Sequence, residues 1–160
     1  MPDYPLSGLR FVELSERGAA AYAGKLLRRL GAELVKIEPP EGDPLRRRGS
    51  RRHQINGHTT TAAFDFLNEG KVSATADPTE LRELVASADA FLIDLELSRY
   101  EAWGLQSDKL ALLDCNVVCA ITPFGLSGPY RNYRGPEIVT SAFGGSSVGI
   151  GAPGQPPLKM

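Results

Sequence analysis

The sequence predicts an open α/β fold with a mostly parallel sheet and helices on both faces. Three observations carry this. A helix-length pattern of about a dozen residues separates two short β-prone runs. A second helix pattern, opened by capping residues, leads into a third β-prone run. The chain has 160 residues, a length suited to one domain. A strand, helix, strand succession makes the two strands parallel, because a crossover of this length returns the chain to the same edge direction.

The first strand is Leu9–Leu14, preceded by Gly8. From Ala19 the apolar positions Ala19, Tyr22, Ala23, Leu26 and Leu30 recur at helical spacing and predict one buried helix face. Lys25, Arg28 and Arg29 suit the negative end of that helix, and Gly31 suits the position just past it. Glu33–Ile37 is the next strand. Residues 38–61 have no apolar periodicity and hold Pro39-Pro40, Gly42-Asp43-Pro44 and five arginines between Arg46 and Arg52. They are expected to form one long loop, a kind that in compact domains tends to be functional. Ala62–Phe66 is expected as a short strand, Asn68-Glu69-Gly70 as a turn and Lys71–Ala74 as a further strand.

The next helix carries its own start signal. Asp77 stands at the N-cap, Pro78 at the first helical position and Glu80 where a capping box needs it. Leu81, Leu84, Val85 and Ala88 share its inner face. Ala90–Asp94 is a buried strand, Arg99–Trp103 a short helix ending at Gly104, Ser107 the cap of another with Leu110 and Leu113 inward, and Asn116–Thr122 the last strand. Pro123–Arg134 is a loop, and a helix starts at Glu137. Six of the twelve residues from Gly149 to Met160 are Gly or Pro. The expected organisation is therefore a domain over 1–148 and a tail or linker over 149–160.

Composition narrows the function. With 18 Lys+Arg against 19 Asp+Glu, the net charge of -1 gives no global reason to expect nucleic acid. No apolar run approaches the roughly 18 residues of a membrane span, and Met1–Arg10 lacks a signal core. Two cysteines, Cys115 and Cys119, make neither a disulfide framework nor a zinc site. They are expected to be reduced and buried, in a cytoplasmic protein.

Ligands of such sheets sit at the carboxyl ends of the strands, here Ser15–Gly18, Glu38–Asp43, Asp94–Ser98 and Pro123–Pro129. The first of these loops lacks both glycine-rich phosphate signatures. Small residues at a helix start, Gly18 and Ala19, still offer backbone amides to an anion. Arg46, Arg47, Arg48, Arg51, Arg52 and His53 can grip phosphate, reach a polyanion or simply form a solvated basic loop. His53 and His58 have no metal-ligand pattern around them. Tyr100 and Trp103 read as packing residues.

Several segments together resemble the opening of class III CoA-transferases, the formyl-CoA and carnitine type, a family that includes α-methylacyl-CoA racemases. They are Leu6-Ser7-Gly8-Leu9-Arg10-Phe11-Val12-Glu13-Leu14-Ser15, Tyr22-Ala23-Gly24, Leu30-Gly31-Ala32 and Val35–Arg46. The resemblance continues through Asn68-Glu69-Gly70-Lys71, Ser87–Ala90 and Ile121–Tyr130, collinear over nearly the whole chain. It implies a Rossmann-like CoA-binding domain, coenzyme A or acyl-CoA as substrate of the complete site, no covalently bound cofactor, and a longer subunit assembled with a second copy or a partner chain. It also implies CoA transfer between an acyl-CoA and a carboxylate through a covalent aspartyl intermediate.

That aspartate falls beyond the segment matching Gly154–Met160, so no residue of this chain is expected to be catalytic. A racemase carries a His-Asp step where this chain has Pro136-Glu137. Proline cannot move a proton, so the pattern argues against a racemase. The resemblance makes Lys71 and Asn68 the residues near the CoA adenine. The loop usually reading Asn-x-x-Pro-Gly is here Asp94-Leu95-Glu96-Leu97-Ser98, and the arginine usual further on is Ala102. The implied CoA-contact set is Gly18, Ala19, Arg46, Asn68, Lys71, Asp94, Gly125 and Gly128, with Asp94 and Glu96 repelling the ligand. The rival reading is a non-catalytic scaffold or partner subunit.

Overall fold

The computed structural model describes residues 4–49, 52–55, 57–150 and 154–156. It divides into two compact units, Met1–Thr122 and Pro123–Met160.

The first unit is built on five parallel strands: β1 (Arg10–Ser15), β2 (Glu33–Glu38), β5 (Val72–Thr75), β6 (Ala90–Asp94) and β7 (Val117–Ala120), in the order β5-β2-β1-β6-β7. Val12, Leu14, Ile37, Phe91 and Ile93 are fully buried, so the centre of the sheet is covered on both sides. Helix α1 (Gly18–Arg29) crosses from β1 to β2, and α3 (Pro78–Ala86) crosses back from β5 to β6. Right-handed crossovers in opposite directions put these two helices on opposite faces. The order reverses between β1 and β6, which opens the ligand crevice at their carboxyl ends.

Local signals account for most boundaries. Asp77 accepts hydrogen bonds from the Thr79 and Glu80 amides, and the Glu80 carboxylate accepts from the Asp77 amide, completing the capping box. Gly31 has φ +100°, and a Cβ there would meet the Tyr4 Cβ at 2.4 Å. Only glycine fits this turn between α1 and β2. The short helices α4 (Leu97–Ala102) and α5 (Ser107–Leu110) lead to β7. Gln106 rather than Ser107 is the N-cap of α5, and no residue of that helix is fully buried.

Four expectations are corrected. The stretch 38–61 is not one loop: β3 (Arg52–Ile55) and β4 (His58–Thr61) pair antiparallel as a hairpin. All of β3 is exposed, so no apolar alternation marks it. Residues 62–66 are helix, not strand. Thr61 accepts from the Phe64 amide and starts α2 (Ala62–Asn68). The face of α1 is also rotated. Ala20, Ala21, Gly24 and Lys25 are buried, whereas Tyr22, Leu26 and Leu30 are about half exposed. Small residues let the helix lie close to the sheet, and that close approach outweighs the burial of the larger side chains. Cys115 is half-buried and Cys119 exposed, against the expectation that both are buried. Cys119 lies on β7, a sheet edge, and Cys115 just before it.

In the second unit, α6 (Glu137–Phe143) follows the loop from Pro123 and precedes a 3₁₀ turn at Ser146–Gly149. Phe124, Tyr130, Tyr133 and Phe143 pack edge to face, with ring centroids 5.3 to 6.3 Å apart.

Candidate functional site

The crevice between β1 and β6 is framed by the loops Ser15-Glu16-Arg17 and Asp94-Leu95-Glu96. Asp94 ends β6, and its carboxylate reaches the first turn of α1. Oδ2 accepts from the amides of Ala19 at 3.0 Å and Ala20 at 3.2 Å, while Arg17 Nε lies 3.5 Å from Oδ1. The side chain is only 2% exposed. The carboxylate thus fills the place at the helix N-terminus where a ligand phosphate would sit. Burial raises the Asp94 pKa, and the Ala20 amide, the Arg17 charge and the Ala19 amide pull it part of the way back. Asp94 faces inward, held by the first turn of α1 and by Arg17.

Further charges tie the loops across the crevice. Arg99 donates from Nε and Nη2 to Glu16 Oε1 at 3.0 and 2.7 Å, and reaches Glu41 at 3.5 Å. Arg17 also lies 4.0 Å from the exposed Glu96. Loops following β1, β2 and β6 are joined in this way.

Behind the crevice lies a buried ionic cluster. Glu13 on β1 and Lys36 on β2 are register partners. Lys36 Nζ donates to Glu13 Oε1 at 3.2 Å, to the Ser15 carbonyl and to Ser15 Oγ, and pairs with Asp43 Oδ2 at 2.7 Å. Lys71 Nζ donates to Glu13 Oε2 at 2.6 Å, the Ala21 carbonyl at 2.7 Å and Asn68 Oδ1 at 3.0 Å. Two lysines face two carboxylates, so the cluster is neutral and richly hydrogen-bonded, as buried charge requires. Burial lowers the Lys71 pKa, and the charge of Glu13 opposes that shift. The Lys71 side chain is 1% exposed. It braces α1 against β1 rather than reaching outward, and Asn68 braces it in turn. Lys71 and Asn68 thus meet each other and Glu13 inside the first unit.

Arg46 is likewise engaged. Its Nε and Nη2 hold both oxygens of Glu38 at 2.7 Å, and its guanidinium lies over the Phe64 ring, 3.8 Å from the centroid. Burial alone would raise the Glu38 carboxyl. Hydrogen bonds from Arg46, Ser73 and the Asp43 amide outweigh it and bring the pKa down to about 2. Arg47 donates to the Glu41 carbonyl. Arg48 and Arg52 are exposed, and Arg51 lies outside the described residues. His53 Nε2 is 2.8 Å from Asp65 on α2, and His58 is exposed. No cluster able to hold a metal occurs among the described residues. Gly125 and Gly128 have φ +86° and +88° in the second unit.

The candidates therefore separate. Gly18, Ala19 and Asp94 meet at the start of α1. Asn68 and Lys71 meet behind it with Glu13. Arg46 anchors the loop after β2, and Gly125 and Gly128 belong to the other unit. Sequence reasoning passed over Glu13, Lys36, Asp43, Arg99 and Glu16. A signal was present: Glu13 and Lys36 are charged residues inside two short apolar strands, of opposite sign and on adjacent strands. No helix among the described residues is long and apolar enough to cross a membrane.

The comparisons with known proteins agree with this architecture. The model of CoA-transferase family III matches residues 6–160. The chain is 33% identical to succinyl-CoA–D-citramalate CoA-transferase of Chloroflexus aurantiacus, over 99% of its own length and 40% of the relative's. It is 32% identical to succinate–glutarate CoA-transferase of Agrobacterium fabrum, over 97% and 41%. A CAIB/BAIF family protein from Brucella suis superposes with a TM-score of 0.84 at 34% identity, over 99% of this chain and 44% of that one. The chain thus spans about two fifths of the length of the curated relatives it matches. A family match running from residue 6 to residue 160, on a five-stranded parallel sheet whose order reverses beside β1, leads to one conclusion: the chain belongs to CoA-transferase family III.

Proposed function

We propose that this chain is the N-terminal, CoA-binding portion of an enzyme that transfers CoA between an acyl-CoA and a carboxylate. The observation that carries the reading is the collinear family match over residues 6–160. The ligand is coenzyme A or acyl-CoA, with no covalently bound cofactor. It approaches the crevice between β1 and β6 at the start of α1, beside Gly18, Ala19 and Asp94; Gly125 and Gly128, in the second unit, are proposed as further CoA contacts. Lys71, Asn68 and Arg46 support that surface from behind through Glu13 and Glu38. In this reading 1–148 is the N-terminal domain of the family fold and 149–160 the tail or linker leading from it. No residue here is assigned as catalytic; the covalent aspartate belongs to the portion that the family carries after it. A second copy or a partner chain completes the fold, in the cytoplasm, without nucleic acid or membrane.

A non-catalytic partner subunit is the second reading. The apolar stripe of Tyr22, Leu26 and Leu30 on α1 favours it, since such a stripe suits contact with another chain. A racemase-related member is disfavoured by Pro136, which stands at the N-cap of α6 and carries no transferable proton.

The test uses succinyl-CoA with glutarate as acceptor, followed by chromatography of the CoA thioesters. The 160-residue chain alone is expected to give no exchange. Joined to the remaining three fifths of the Agrobacterium relative, it is expected to restore exchange. Turnover by the chain alone overturns the assignment of the catalytic group. A folded chimera that binds CoA but does not turn over favours the partner-subunit reading.

A further inference from the structure

On one face of the sheet the inner strands carry polar side chains: Glu13 and Ser15 on β1, Lys36 and Glu38 on β2, all of them buried. Lys36 is 1% exposed. Apolar residues of the same volume would hold two strands together at least as well as a buried ion pair does. They could not hold the strand ends. The register of β1 with β2 stops at Leu14 and Ile37, one residue short of Ser15. The Lys36 ammonium takes over there, donating to the Ser15 carbonyl at 3.0 Å and to Ser15 Oγ at 2.8 Å. The same ammonium pairs with Asp43, in the loop after β2, at 2.7 Å. Asp43 is fixed in turn, since its Oδ1 accepts from the Leu45 amide and its own amide donates to Glu38. On the other side of β1, Ser15 is in register with Asp94, and the Glu16 amide donates to the Asp94 carbonyl at 3.0 Å. The start of the loop Ser15-Glu16-Arg17 is thus gripped from both neighbouring strands.

We propose that Lys36 is a positioning residue for the crevice. One ammonium fixes the end of β1 and the loop after β2 in a single arrangement, and so sets where Glu16 and Arg17 stand when the ligand binds. Lys36 does not touch the ligand; it is buried behind the loop it holds. A buried charge at this place is kept for the geometry it imposes on Ser15 and Asp43 rather than for stability. This inference rests on the proposed binding of CoA in the crevice.

The experiment compares wild type with Lys36→Met/Asp43→Ser and with Ser15→Ala. The paired change removes one charge of each sign, so Glu13 and Lys71 stay balanced, and serine can still accept from the Leu45 amide. Nuclear magnetic resonance follows amide hydrogen exchange, then a coenzyme A titration of the same samples. The double variant is expected to fold and to protect the Val12 and Leu14 amides as wild type does. Its Glu16 amide should exchange roughly tenfold faster, as expected from losing a hydrogen bond to a charged group, and its CoA midpoint should rise roughly tenfold. Ser15→Ala removes only one uncharged partner of the ammonium and should speed Glu16 exchange about threefold; it decides the matter if the double variant does not fold. A Lys36 that merely fills the core would leave Glu16 exchange unchanged in both variants, and that result would overturn the proposal. Faster Glu16 exchange with an unmoved CoA midpoint would overturn it too, while sparing the CoA reading. No response of wild type to CoA would sink both.

Discussion

Replacing Gly24 with alanine tests whether the buried ionic cluster sets how close α1 lies to the sheet. A Cβ at Gly24 would fall 2.3 Å from Glu13 Oε2, 2.9 Å from Leu34 Cδ1 and 3.1 Å from Lys71 Nζ. These atoms have little room, since Glu13 and Lys71 are 0% and 1% exposed. In an open helix the change to alanine would gain about 1 kcal/mol from backbone propensity. Here it forces the Glu13–Lys71 pair apart, and breaking a buried pair costs about 3–5 kcal/mol. The net expectation is a loss of about 2–4 kcal/mol, or a thermal midpoint lower by about 4–16 °C for a chain of this size. Urea titration followed by circular dichroism measures it. A double-mutant cycle isolates the cause. With Glu13→Ala in place the space is open, so adding Gly24→Ala should cost little or even stabilise. A Gly24→Ala protein as stable as wild type would refute the close-approach argument. An unchanged cost in the Glu13→Ala background would show that Leu34, not the ion pair, is what the new methyl strikes.

Further expectations concern pH, capping and association. Glu38 has its pKa depressed from an ordinary 4.5 to about 2, so its contribution is present above pH 4.5 and fades as the pH falls towards 2; Arg46→Ala should flatten acid unfolding in that window. Asp94 has the opposite sign, because a raised carboxyl pKa lets the folded state take its proton first, and Asp94→Asn should remove that gain on acidification. Asp77→Ala, which removes the capping box of α3, should cost about 1 kcal/mol and lower the midpoint by about 2–4 °C in a thermal scan. Leu26→Glu on the exposed stripe of α1 should leave the midpoint unchanged and reduce self-association in size-exclusion chromatography; a mobility identical to wild type would count against the stripe as a contact surface.

How much of this was legible depended on whether a signal was local. The strands around Val12, Val35 and Phe91 showed in short apolar runs, and the start of α3 in Asp77, Pro78 and Glu80. The inner face of α1 did not show. Hydrophobic spacing favours Tyr22 and Leu26, whereas the sheet selects Ala20, Ala21 and Gly24 for their size. Lys25, buried beneath Phe66 with its ammonium 3.5 Å from the ring centroid, defeats any reading by polarity. The β3–β4 hairpin was hidden because an exposed ribbon needs no alternation. The short, mostly apolar stretch Ala62–Phe66 fits helix or strand equally until Thr61 is recognised as a cap. For the site, the resemblance pointed to Lys71, Asn68 and Asp94 and the structure found all three at the crevice or behind it. That they turn inward is a matter of tertiary pairing with Glu13 and α1, which no spacing along the chain encodes.

The central position of β1 has a consequence for synthesis. The first strand made is the middle of the sheet. One partner, β2, follows 23 residues later, at Glu33 against Arg10. The other side waits for β6, whose Ala90 pairs with Phe11 across 79 positions. At translation speeds of about 5–20 residues per second, that side of β1 stays open for roughly 4–16 s after it is made. During this interval an apolar strand presents unpaired amides and carbonyls to whatever is nearby. The nascent chain is thus most exposed to mispairing, and most in need of a chaperone, between the emergence of β2 and that of β6.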